Sequence, residues 1–117
     1  MAGDRQRRIN GEMQKVLADI IRTEMKDPRI SIMTSVVRVD VTNDLSYATA
    51  YISVYDTPKM QKSTIIALEH ALGFLRTEVG KRLKLRKLPE IRIVEDHSME
   101  QSAKISKILD DIGAKDD

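Results

Sequence analysis

The stretch "TSVVRVDVTNDLSYATAYISVYD", residues 34–56, limits the possible folds more than any other part of the chain. Its side chains alternate with period two, the mark of a strand with one face toward a core and one toward water. Val37, Val39 and Val41 point one way, and Val36, Arg38 and Asp40 point the other. In the second run Ala48, Ala50, Ile52 and Val54 share one face, while Tyr47, Thr49, Tyr51, Ser53 and Tyr55 share the opposite face. The "NDLS" between the runs supplies turn residues, so the stretch predicts an antiparallel hairpin. A lone hairpin is at best marginal in water, so its apolar face requires a second layer.

The flanking segments keep helical time and supply that layer. Ile9, Met13, Val16, Leu17, Ile20 and Ile21 predict an amphipathic helix over roughly residues 5–25, with Asp4 as its N-cap. Asp27 precedes Pro28, which pushes it toward extended backbone and ends the helix. After the hairpin, Thr57 before Pro58 reads as an N-cap with proline at the first helical position. The pattern that follows runs to about Lys87, Pro89 stops it, and "EIRIVE" is a third strand. Ser98 and Gln101 stand at capping-box spacing before Ile105, Ile108, Leu109 and Ile112, a terminal helix, with a short disordered tail at 113–117. The reading is one α+β domain over residues 1–112, with helices on one face of a three-stranded sheet. With one Phe, three Tyr and no Trp, its core is aliphatic, and Met13, Met25 and Met33 read as filler.

Several classes of chemistry drop out. There is no cysteine, hence no disulfide, zinc thiolate or thiol nucleophile. No apolar run approaches the ~18 residues of a membrane span, and the basic N-terminus has no signal core behind it, so the chain is expected to be cytoplasmic. Asp96-His97-Ser98 contains the names of a triad, but adjacent residues cannot converge three side chains on one atom. A loop hydrogen bond for Asp96 and a cap role for Ser98 fit better. His70 and His97 lack metal-ligand spacing, and no GxxxxGKS phosphate loop is present. The expectation is a protein without cofactor or catalysis.

What remains is charge. From Arg76 to Arg92 seven basic residues stand against two acids, and from Val94 onward seven acids stand against three lysines. Such asymmetry suits a polyanion on one face, or simply a solvated helix followed by a polar tail. Arg76, Lys81, Arg82, Lys84, Arg86 and Lys87 are the candidate RNA-binding residues, each phosphate neutralised adding a salt-dependent increment. Arg5, Arg7 and Arg8 extend that surface or belong to a frayed terminus. Tyr47, Tyr51 and Tyr55 either stack on unpaired bases or merely suit an exposed sheet face, where Arg38 and Arg92 also fall, with Asp40 as a partner. Gly73 and Gly80 interrupt the same cationic helical run, at a cost of about 1 kcal/mol each relative to alanine. "HALGF" therefore reads as a bend between two helices at Ala71 and Gly73, the alternative being close helix packing.

The element order resembles a type II KH domain, a nucleic-acid-binding fold. The junction carries no GxxG; Ala71-Leu72-Gly73 gives an AxG pattern instead. That exchange, with "DPRI", "VTNDLSYATAYISV", "LRKLPEIRI" and "EDHS" in this order, resembles the ribosome-binding factor A family over roughly residues 5–112. Ser102 stands where that family often has glycine, and Ile91-Arg92-Ile93 where aromatics are common. The resemblance implies a monomeric ribosome assembly factor that binds the free, immature 30S subunit and 16S rRNA. It further implies a part in late maturation, including 16S rRNA 5′-end processing, in growth in the cold, and alongside assembly GTPases. The residues alone leave two alternatives open: a general RNA-binding module, or a protein-interaction domain with a cationic helix.

Overall fold

The computed structural model describes residues 2–98. Helix α1 spans Ala2–Glu24, strand β1 Thr34–Val41, strand β2 Tyr47–Val54, helix α2 Pro58–His70, helix α3 Leu72–Arg82 and strand β3 Glu90–Glu95. This is the mixed α+β order expected from the periodicities. The terminal helix expected after Ser98 and the tail at 113–117 lie outside the described residues.

The sheet order is β1-β2-β3. β1 and β2 pair antiparallel, and β3 pairs parallel to β2 with Tyr47 opposite Glu90 and Ile52 opposite Glu95. A parallel partner requires a long crossover, and α2 with α3 provides it. The helices cover one face. Met13, Leu17 and Ile20 of α1, Leu68 of α2, and Leu75 and Val79 of α3 meet Val39, Ala50, Ile52 and Ile91 of the sheet, all 3% exposed or less. The small Ala48 and Ala50 in the central strand let the helices approach closely, so the few core side chains interdigitate without a large aromatic. Among the described residues no helix is long and apolar enough to cross a membrane.

Four expectations need correction. Asp4 is no N-cap: α1 begins at Ala2, which leaves Asp4 in its first turn, where a carboxylate still favours the helix dipole. In β1 the strict alternation fails, because the register shifts between Val36 and Arg38. The bulge turns Val36 inward with Val39 and Val41 and leaves Val37 exposed. An extra residue on one strand reverses the facing of everything before it. Met33 is half exposed and packs as no filler, whereas Met13 is fully buried. The second long helical run ends at Arg82, five residues before Lys87, because Leu83 turns to extended backbone (φ −115°, ψ 129°).

The hairpin turn falls on "NDLS", residues 43–46, with Thr42 leading into it. Leu45 takes a left-handed φ of 61°, uncommon for a leucine, and is 8% exposed. Burial of its side chain offsets the backbone strain. The Thr42 hydroxyl accepts from the N–H groups of Ser46 and Tyr47, at 3.0 and 3.1 Å, and fixes the chain reversal.

The open edge of β1 is closed by side chains of α1, a feature the periodicity did not reveal. The Gln6 amide donates to the Val41 carbonyl, Asn10 Oδ1 accepts from the Val41 N–H at 2.9 Å, and Gln14 Nε2 donates to the Val36 and Val37 carbonyls at 3.0 and 3.1 Å. Three amides four residues apart form one stripe on a helix. They satisfy strand groups that would otherwise pair with another chain.

Candidate RNA-binding surface

The α2–α3 junction falls at Ala71, whose backbone (φ −100°, ψ 12°) leaves the helical region. Its N–H donates to the Leu68 carbonyl at 3.1 Å and its carbonyl accepts from Leu75 at 2.9 Å, so the chain turns without losing its ladder altogether. Gly73 lies in the first turn of α3, is exposed, and has no heavy atom within 4 Å of the place a Cβ would take. Nothing inside the described fold requires that glycine. Gly80 is different: a Cβ there would stand 3.2 Å from Leu88 Cδ2. The absent side chain is the seat on which the 83–89 loop folds back against α3.

That loop carries three of the six cations singled out above, and the six differ in their surroundings. Arg76 donates to the Leu88 carbonyl at 2.9 Å and the Pro89 carbonyl at 3.3 Å, holding the loop along the helix. Arg82 bridges to Asp19 at 2.7 Å and Glu24 at 3.3 Å, tying the end of α3 to the end of α1. Lys81 pairs with Glu78 one turn back at 3.2 Å. Lys87 donates to Ser46 Oγ at 3.2 Å, which joins the loop to the hairpin turn. Lys84 and Arg86 are exposed and make no hydrogen bond or ion pair with the described residues. Among the described residues they are the two cations of the group with no partner.

Beside Lys87, Asp44 is pulled down to about 2 by hydrogen bonds from Ser46, its hydroxyl before its N–H, and from the Thr42 hydroxyl, with the Lys87 charge adding to them. The carboxylate is thus spoken for within its own turn. Glu90 at the start of β3 anchors the other side, its N–H donating to the Ser46 carbonyl at 2.9 Å.

The sheet face away from the helices carries the tyrosines. The Arg38 guanidinium lies 4.0 Å from the centre of the Tyr51 ring and that of Arg92 3.8 Å from Tyr47. Arg38 also reaches Asp40 at 3.4 Å. Each of these two rings has one face under a cation and only the other available for stacking. Tyr55 stands past the end of β2 and is 68% exposed, apart from the other two. After β3, hydrogen bonds from Ser98, its hydroxyl before its N–H (2.8 Å to Oδ1), lower the Asp96 pKa.

With this geometry in place, similarity to known proteins is informative. The model of the family described as ribosome-binding factor A matches residues 5–109. The ribosome-binding factor A of Clostridium tetani is 48% identical over 117 residues, covering 100% of this chain and 97% of that protein. The solution structure of a Thermotoga maritima protein named for ribosome binding factor A is 36% identical, with a TM-score of 0.71 over 80% of this chain and 89% of that one. A Thermus thermophilus ribosome binding factor A, fitted into an electron cryomicroscopy map of its complex with the 30S subunit, shares the fold. Its TM-score is 0.63 at 20% identity, over 75% of this chain and 91% of that chain.

Proposed function

Because this chain belongs to the ribosome-binding factor A family, we propose that it binds the free, immature small ribosomal subunit through its 16S rRNA and assists late maturation, including processing at the 5′ end. The observation that carries the RNA-binding part is the 83–89 loop, pinned by Arg76 and Gly80, on which Lys84 and Arg86 are exposed and have no partner among the described residues. A pinned loop presents its charges with little ordering cost on binding. Lys81 and Lys87 flank it, while Arg76 and Arg82 hold the scaffold and add to the local potential. The bend at Ala71 and Gly73 completes this surface, since a missing side chain admits a ligand backbone.

A factor of this kind acts by differential binding. It stabilises one rRNA arrangement and shifts the population only by its preference for that arrangement. A role in the cold follows, since alternative RNA pairings persist longer there, and release belongs with a matured surface or an assembly GTPase. The test is cosedimentation of the protein with purified free small subunits and, separately, with intact ribosomes at low and moderate salt. Retention on the free subunit alone, weakened by salt, is the expected result. Equal retention on both, or none, overturns the proposal.

A further inference from the structure

The arginines of the N-terminal helix and the end of the 83–89 loop are nearly eighty residues apart in sequence, yet the fold brings both to the hairpin end of the sheet. Gln6 and Asn10 seat the start of α1 on Val41, the last residue of β1 before the hairpin turn. Lys87 and Glu90 seat the loop on Ser46, the last residue of that turn. Between the two clusters lie the three strands and the helix, a span of roughly 20 Å from strand spacing and helix diameter. Arg5, Arg7 and Arg8 are exposed and make no ion pair with the described residues. Among the described residues the acids near these groups are Asp4, Glu12, Asp40, Asp44 and Glu90; Asp40 pairs with Arg38, and Asp44 is held by Ser46 and Thr42. Arg5, Arg7, Arg8 and Arg86 make no hydrogen bond or ion pair with the described residues, whereas two of those acids are already held.

We infer that Arg5, Arg7 and Arg8 form a second phosphate-contact cluster, and that RNA crosses the hairpin end of the molecule from the 83–89 loop to the first helix. The inference rests on the RNA-binding reading above and adds a footprint to it. Arginine matches phosphate geometry with a planar fork of donors, and charges of one sign on both sides of a protruding turn hold a polyanion over it.

The probe is purified small-subunit rRNA stripped of protein, with binding by the full chain measured by filter retention between roughly 50 and 200 mM salt. Replacing Arg5, Arg7 and Arg8 together by Gln is expected to make the log–log salt slope shallower by ~2 units and to weaken binding at least tenfold at the low-salt end. Lys84→Gln with Arg86→Gln is expected to remove ~1–2 units independently. The triple Lys variant at positions 5, 7 and 8 is expected to keep the slope, which separates charge from any disturbance of the helix. An unchanged slope in the triple Gln variant, with a loss in the loop variant, overturns the second cluster and leaves the RNA-binding reading standing. No salt-dependent binding by the unaltered protein overturns both.

Discussion

Two glycines that look alike in the sequence have opposite surroundings in the fold. Removing a glycine from a helix interior is worth up to about 1 kcal/mol. Gly73→Ala meets no atom within 4 Å and is expected to raise the unfolding midpoint while weakening subunit binding, because on the proposed reading RNA approaches the bend where the new methyl would stand. Unchanged binding in that variant would remove the bend from the proposed surface. Gly80→Val pushes branched carbons into Leu88, already 3.2 Å from the added Cβ. Overpacking of this kind costs ~1–3 kcal/mol, more than the propensity gain, so chemical denaturation should show net destabilisation. A third residue-scale expectation concerns Asp44, whose folded pKa of about 2 lies below its ordinary value of 3.8. Its stabilisation is complete above the ordinary value and is lost as pH falls through about 2. Asp44→Asn should therefore melt below the unaltered protein at neutral pH, and the gap should close on acidification. A gap that does not change with pH would refute the assignment.

At the scale of elements, side chains decide where the backbone stops. The 83–89 loop is held by two carbonyl contacts from Arg76 and by the Gly80 seat. Arg76→Ala is expected to loosen the loop while sparing the core, costing on the order of 1 kcal/mol because water replaces the lost donors. Hydrogen exchange at the Glu90 amide, bonded to Ser46, should quicken in that variant relative to amides in the middle of β2. If Glu90 is as protected as before, packing on Gly80 and the Lys87–Ser46 bond hold the loop without Arg76. Helix α1 shows the same principle at a strand edge. Its amide stripe at Gln6, Asn10 and Gln14 finishes the hydrogen bonding of β1, so the helix shields both the apolar face and the polar edge. The arginines beside that stripe sit in the first turns of the helix, where the dipole repels cations. Their replacement by Gln should leave the melting temperature unchanged or slightly raised.

For the whole molecule, the element order and the apolar faces were legible because periodicity is a local property. Met13, Leu17 and Ile20 at helical spacing, and Ala48, Ala50 and Ile52 at period two, announce their buried faces without reference to the rest of the chain. The cluster of cations before β3 was legible for the same reason, being contiguous in sequence. The bulge at Val37, the end of α3 at Arg82 and the left-handed Leu45 were not. Each results from a contact with a residue far away or from a local conformation that only the closed hairpin stabilises. Nor did the charge pattern distinguish Arg76 and Arg82, engaged with Leu88, Pro89, Asp19 and Glu24, from Lys84 and Arg86, which have no partner among the described residues.

By itself, then, the sequence determined the kinds of element, their order, the family motifs and the sign of the charged surface, all set by residues within a few positions of one another. Only the tertiary structure decided which cations are committed to the scaffold, which glycine is a packing seat, and that the start of the first helix and the end of the 83–89 loop share the hairpin end of the sheet. Those outcomes depend on distances between residues remote in the chain, and a linear pattern carries no distances until the strands have paired.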